Sequence, residues 1–302
     1  MFSRRHPFLF FILTFSGIGA AFFAVMALII AVVMQQGFGG ADRIPGEKVG
    51  VVEITGVISD AKDILSGIKR FREDDAVKAI VVRINTPGGA VGPSQEIYRE
   101  IRKTLAIKKP VIASLGSIAA SGGYYVASAA SGIMANPGTI TGSIGVIMGY
   151  TNFQKILEKI GLVPVVIKSG EFKDMGSPVR QMKTGEKKLF QELVDAIHHQ
   201  FIQDVAQGRD MEIEKVKELA DGRIFTGAQA LKYEFVDRLG NLEDAVEWAG
   251  RTAGIKGKIS AVYAKKKEFS FFKYLSSSSS VNEMLKQIIQ PDLHADFVYS
   301  PE

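Results

Sequence analysis

Ser121 lies within a stretch of mostly small residues, Gly116 to Tyr125 (GSIAASGGYY), and Gly122 and Gly123 follow it directly. Small neighbours let another backbone approach, and glycines adopt turns that side chains forbid while leaving amide N–H groups open to a ligand. A serine so placed can be a nucleophile with an oxyanion donor beside it. The same letters also fit a tight turn from strand to helix. Asn85 to Ala90 (NTPGGA) offers further donors: Pro87 fixes a turn, and Gly88 and Gly89 carry unobstructed amides.

A serine nucleophile needs a base, and the 4 histidines are poorly placed for it. His6 precedes a long apolar run, His294 lies near the C-terminus, and His198 and His199 sit mid-helix, where a solvated face is their ordinary role. The sequence contains no G-x-S-x-G elbow (the glycines around Ser143 have the wrong spacing), no HExxH and no P-loop. It has 0 cysteines, which removes thiolate nucleophiles, disulfides and zinc–thiolate sites. Neither a histidine triad nor a catalytic metal is expected, and no cofactor is implied.

A lysine can replace histidine if it is desolvated. The free amine titrates near 10.4, and burial can lower that by about 3–5 units. Lys168 and Lys173 both lie in an irregular segment after a candidate strand. Lys173 is flanked by Phe172 and Met175, but also by Glu171 and Asp174. On residue types alone either lysine could serve, and a solvated surface role is the ordinary reading of both.

These groups need a scaffold, and the sequence supplies alternating elements. Lys48–Ile58, Val77–Ile84, Pro110–Leu115, Ile133–Ala135, Val163–Lys168 and Lys258–Tyr263 read as strands rich in β-branched residues. Helical spacing marks Asp60–Arg72, Ser94–Ile107, Ala120–Ala130, Asn152–Ile160, Glu186–Gln207, Ile213–Leu219 and Leu242–Ala253. Strands alternating with helices predict parallel βαβ units, whose ligands sit beyond the carboxyl ends of the strands. The NTPGG loop and Ser121 both follow strand ends, so they are expected at one crevice.

The N-terminus is of another kind. Phe8 to Met34 is almost wholly apolar, and no charged side chain falls between Pro7 and Ala41. About 20 such residues suffice to span a bilayer, and the run is longer than the apolar core of a cleaved signal peptide. Arg4 and Arg5 precede it, which predicts a cytoplasmic N-terminus and an extracytoplasmic body. The expected organisation is an anchor over 1–36, a glycine-rich stalk over 37–47, a catalytic domain over 48–264, and a tail over 265–302. That tail carries Lys265–Lys267 and five serines at 276–280 and reads as a linker and detachable end. The net charge of +5 is modest and the lysines are mostly scattered, so nucleic acid is not an expected partner.

Five blocks in this order resemble one family: NTPGGAV, GSIAASGGYYVA, GTITGSIGVIMG, IKSGEFKDMGSP and DGRIFTGAQALKYEFVDRLG. They are similar to the signal peptide peptidase A family, in its short single-unit form, over about Val49 to Gly254. The resemblance implies an α/β, Clp-protease/crotonase-like fold of repeated βαβ units with an N-terminal transmembrane helix. It also implies a membrane-anchored serine endopeptidase that uses a Ser-Lys dyad. By position, Ser121 matches the nucleophile and Lys173 the general base, which selects Lys173 over Lys168. Gly88 and Gly89 with Gly122 match the oxyanion hole, and Ser143 the residue that orients the lysine. Signal peptides are the implied substrates. A ring-like homo-oligomer is implied as well, with the lysine of one protomer meeting the serine of the next. The rival readings are a same-fold peptidase that serves a stomatin-like partner, a crotonase-type acyl-CoA enzyme, and a non-catalytic scaffold.

Overall fold

The computed structural model describes residues 6–39, 46–264 and 296–298. The Lys265–Lys267 and serine runs, His294 and most of the stalk lie outside the described residues. The chain divides into two compact units, Met1–Gly46 and Glu47–Glu302.

The first unit is one helix, α1 (Pro7–Gly39). Its stretch Phe8–Leu28 has a mean hydropathy of 2.3 over 21 residues. No polar stripe interrupts it, so it has no face suited to water. It is long and apolar enough to cross a membrane.

The second unit is built on a sheet of parallel strands. β1 (Lys48–Thr55) leads through α2 (Lys62–Glu73) to β2 (Val77–Thr86). A short β3 (Gly88–Ala90) precedes α3 (Val91–Ala106) and β4 (Val111–Ala120). Then come α4 (Gly122–Ser128), β5 (Gly132–Ala135), β6 (Ile140–Gly142) and α5 (Gln154–Lys159). A long helix α6 (Thr184–Arg209) is followed by α7 (Ile213–Leu219), β7 (Ile224–Thr226) and α8 (Gly227–Lys232). β8 (Arg238–Leu239), α9 (Leu242–Thr252) and β9 (Ser260–Tyr263) complete the body, and β10 (Asp296–Val298) lies near the C-terminus.

The sheet runs β7-β6-β4-β2-β1-β9, with β5 beside β4 and β8 beside β5. All these pairs are parallel except β6–β7. Both faces are covered, as parallel sheets require. Strand side chains alternate: Val52, Ile54, Ile80, Val82, Ile84, Val111, Ala113 and Leu115 join the larger core. Val49, Val51, Ala79, Val81 and Ile112 face the other way and pack against Ala245, Val246 and Ala249 of α9. This explains why the strands read as continuous apolar runs.

Two local expectations fail. Val163–Lys168 forms no strand. Val163, Val165 and Ile167 are 83%, 82% and 97% exposed, because no strand among the described residues pairs with them. The NTPGGA turn, expected only to break the chain, contains the short strand β3, because β10 pairs with it antiparallel and Ile58 bridges Gly89.

Candidate active site

Ser121 joins β4 to α4. It is 1% exposed and holds φ 52°, ψ −116°, the positive-φ region that side chains avoid. Such a conformation costs about 1–3 kcal/mol and persists only where the surroundings impose it. Here the restraints are backbone bonds: the Ser121 N–H donates to Gly142 O at 2.8 Å, and the Ser121 carbonyl accepts from the Tyr125 N–H at 2.8 Å. α4 is anchored below by buried aromatics. The Tyr124 hydroxyl donates to Phe235 O at 2.9 Å, and Tyr125 meets Phe201 and Tyr98 at ring distances of 5.0 Å each. The turn is therefore held on both sides and opens α4 with the Gly122 amide, which lies in the first turn where N–H groups have no intrahelical acceptor.

The glycine loop reaches the same place. Thr86 pairs with Ala119 across β2 and β4. A Cβ on Gly123 would sit 2.7 Å from Thr86 Cγ2 and 3.2 Å from Thr86 O, so the start of α4 rests directly on the residue before Pro87. Gly88 has φ 116°, which a side chain would strain. Its N–H, expected to be unobstructed, instead donates to Thr86 Oγ1 at 3.1 Å, because the turn at Pro87 folds that hydroxyl back onto it. Thr86 was not anticipated as a site residue; its position directly before the PGG triplet is the available signal. Asn85 is a second such residue: its Oδ1 accepts from the Ser117 and Ile118 amides at 3.1 and 3.3 Å and ties the two loops together.

Ser143 follows Gly142, whose carbonyl receives the Ser121 amide, so the two serines are neighbours across β4 and β6. Ser143 is buried and also at positive φ, 51°. Its N–H donates to Arg223 O at 2.8 Å. A cavity of about 490 Å³ opens beside Ser143, lined also by Val146, Ile147, Asp195, His198 and Asp221. His198 Nε2 is buried there without a hydrogen-bond partner among the described residues.

Thus Ser121, Gly122, Gly88, Gly89 and Ser143 gather at the carboxyl ends of β2, β4 and β6. Lys173 does not join them within the chain. It is exposed, and its ammonium has no hydrogen-bond or ion-pair partner among the described residues. The burial expected of a lysine base is therefore absent in the single chain. Lys168 is differently placed: its Nζ donates to Asp174 Oδ1 at 2.5 Å. Asp174 also accepts from Arg180 Nε at 2.9 Å, and Arg180 forks onto both oxygens of the buried Glu186 at 2.9 and 2.5 Å. Arg180, then Lys168, hold the Asp174 carboxyl well below the usual carboxylate range. Arg180, then the Lys183 amide, bring Glu186 down to about 2. This network pins the irregular segment at Asp174 and does not include Lys173.

Comparison with known proteins adds a family. Residues 103–256 match the model described as Peptidase family S49. A Synechocystis protein named as a protease is 48% identical over 211 residues, 69% of this chain and 76% of that protein. A chloroplastic serine protease SPPA of Arabidopsis thaliana is 36% identical, over 72% of this chain and 33% of its own length. Protease 4 of Salmonella typhi is 32% identical, over 84% and 42% respectively.

Proposed function

Since the chain belongs to peptidase family S49 and is a serine protease of the signal peptide peptidase A type with a Clp-protease-like fold, we propose that it is a membrane-anchored Ser-Lys endopeptidase. The observation that carries this is Ser121, buried and at positive φ where β4 meets α4, with Gly122 directly after it and the start of α4 packed on Thr86 of the glycine loop. In this reading neutral Lys173 takes the Ser121 proton, and Ser121 Oγ attacks a peptide carbonyl. The Gly122 amide holds the oxyanion, joined by an amide of the Gly88–Gly89 strand once it is released from its partner in the single chain, which for Gly88 is Thr86 Oγ1 at 3.1 Å. Lys173 then protonates the leaving amine, the acyl-enzyme forms, and a water activated by Lys173 releases it. Ser143 orients the lysine.

The exposed, unpaired Lys173 supports a site completed by a second copy of the chain, in a closed ring. The cavity beside Ser143 offers room for an entering lysine, and the uncovered Val163, Val165 and Ile167 precede Lys173 in sequence. The substrates are remnant signal peptides and other unfolded apolar segments. In this organisation residues 1–36 carry the cytoplasmic N-terminus and anchor, 37–47 the stalk, 48–264 the extracytoplasmic peptidase domain, and 265–302 the linker and tail.

The test is turnover of a fluorogenic apolar peptide. Ser121→Ala and Lys173→Ala should each be inactive. Mixed and reassembled one to one, they should recover activity at about one quarter of sites, because random neighbours then pair an intact serine with an intact lysine. Turnover retained by either variant would refute the dyad. Inactive variants that stay inactive after reassembly would refute the shared site.

A further inference from the structure

Lys173 has a carboxylate on either side of it in the sequence, Glu171 and Asp174. An anion close to a lysine favours the ammonium, the opposite of what a general base needs. The fold gives Asp174 other partners. Its Oδ1 accepts from Lys168 Nζ at 2.5 Å and its Oδ2 from Arg180 Nε at 2.9 Å. Its backbone carbonyl accepts from Arg180 Nη2 at 2.9 Å. The rest of the guanidinium is engaged as well: Nη1 donates to Gln181 O at 3.0 Å and to Glu186 Oε2 at 2.9 Å, and Nη2 to Glu186 Oε1 at 2.5 Å. A guanidinium carries five N–H donors in a fixed fork, and Arg180 uses all of them. Glu186 is 1% exposed and also accepts from the Lys183 amide at 3.0 Å, at the start of α6. Lys168 Nζ donates in addition to Glu171 O at 2.6 Å. A segment outside any helix or strand is thus tied to α6 on both sides of Lys173.

We propose that Arg180 is a positioning residue for the base: together with Lys168 it keeps the Asp174 carboxylate occupied, so that Lys173 is left without a close anion and is free to give up its proton. The inference rests on the reading of Lys173 as the general base. Charges balance inside the network, Lys168 and Arg180 against Asp174 and Glu186, and Lys173 is the cation left outside it. Arg180, then Lys168, hold the Asp174 carboxyl well below the usual carboxylate range. It therefore remains an anion at neutral pH, and what matters is which cation it serves. With the fork removed, Lys173 is its neighbour in the chain. Glu171, the other flanking carboxylate, is exposed, where a pair is screened and contributes little. Lysine at position 180 would not replace arginine, because it has three donors and no planar fork to grip two carboxylates at once.

The test follows kcat/KM on the apolar peptide against pH, with the full chain. Arg180→Gln/Glu186→Gln removes the fork without leaving Glu186 as an unpaired buried charge. Its acid limb should move to higher pH by about one unit, which lowers kcat/KM at pH 7 about tenfold, with the loss fading toward alkaline pH. Adding Asp174→Asn should return the limb to its wild-type position. A merely structural role would lower the rate at every pH and would not be rescued by removing the carboxylate. Lys168→Met leaves the fork intact and should shift the limb the same way by less, about threefold in rate at pH 7; it decides the matter if the double variant does not fold. An activity-independent arm uses the Ser121→Ala background and an amine-selective acylating reagent, which reacts with the neutral amine. Labelling of Lys173, read by mass spectrometry against exposed Lys155, should slow about tenfold in the fork variant and recover with Asp174→Asn. An unmoved acid limb overturns the proposal, and so does a shift that Asp174→Asn fails to reverse. Turnover retained by Lys173→Ala would instead sink the dyad, and the labelling comparison would then decide alone whether Arg180 governs the charge of Lys173.

Discussion

Gly89→Ala is the sharpest single perturbation of the site, because it alters backbone placement without touching a reactive atom. A Cβ at this position would stand 2.2 Å from Ile58 O, 2.5 Å from Ile58 N and 2.6 Å from Ile58 C. Carbon atoms rest at about 3.5–4.0 Å, so β3 and residue 58 must separate by roughly 1 Å. The obstructing atoms are backbone, and no rotamer change relieves them. That separation breaks the two 2.8 Å bonds between Ile58 and residues 88 and 90, at about 1 kcal/mol each. Residual overpacking adds about 1–2 kcal/mol. The sum, about 3–4 kcal/mol, lowers Tm by roughly 6–16 °C for a domain of this size. The kinetic effect should be larger, because β3 carries the proposed oxyanion amides. Losing one such donor costs about 10²–10³ in kcat. Thermal unfolding and kcat/KM on the apolar peptide, measured well below the lowered Tm, separate the two effects. Gly92→Ala is the control: its Cβ meets nothing within 4 Å, and it should change neither by much. If Gly89→Ala kept wild-type kcat/KM, the placement of the oxyanion strand would be wrong.

Two further predictions concern stability. The Glu186 carboxyl falls from 4.5 to about 2 through Arg180 and the Lys183 amide, so its contribution is complete above pH of about 4.5 and is lost as pH falls toward about 2. Glu186→Gln should therefore lower Tm at pH 6 and flatten its decline between pH 5 and 2; an unaltered slope in a pH series of melts would contradict this. Arg209 forks onto Asp237 at 3.0 and 2.6 Å beside buried Tyr124, while Asp237 also accepts from the Ile133 amide at 2.7 Å. Arg209→Ala should cost about 2–3 kcal/mol, since Asp237 is partly open to water, which calorimetry would register as a Tm lower by roughly 4–12 °C.

Much of the scaffold was legible in the sequence because its signals are local. Val49, Val51, Ile80 and Val82 are β-branched residues in a run too apolar for an open sheet, and they lie in a sheet covered on both faces. The uninterrupted apolar run after Pro7 announced α1. Ser121 and the NTPGG loop could be read toward one crevice because each follows a strand end, and Thr86 against Gly123 joins them. Other features depend on partners that spacing does not encode. Val163–Lys168 has the composition of a strand, but a strand exists only where a second backbone offers hydrogen bonds. β10 is three residues in a polar, serine-rich tail, and nothing in its own letters indicates pairing with Gly88–Ala90. The Thr86 Oγ1 bond to Gly88 is invisible for the same reason: NTPGG announces a turn, and only the fold decides which amide that hydroxyl receives.

The uneven construction of the proposed Ser-Lys site follows from where each half takes its support. The serine half is fixed by elements whose positions the core sets: β2, β4 and β6 align its loops, and Tyr124, Tyr125 and Phe201 lock α4 beneath it. That packing can sustain the strained φ of Ser121, because relaxing it would cost the buried aromatic contacts as well. The lysine half has no comparable support among the described residues. Its segment is held at Asp174 by Lys168 and Arg180, and Arg180 is anchored in turn by buried Glu186. The apolar residues before it lie in water. Covering Val163, Val165 and Ile167 would recover about 25 cal/mol for each Å² removed from solvent. The same act would supply the desolvation that a neutral lysine requires. Under the proposed assembly one event thus does both: the contact that covers the apolar segment also brings Lys173 to a serine. A chain alone would carry a formed but idle nucleophile, and proteolysis would be confined to the assembled ring.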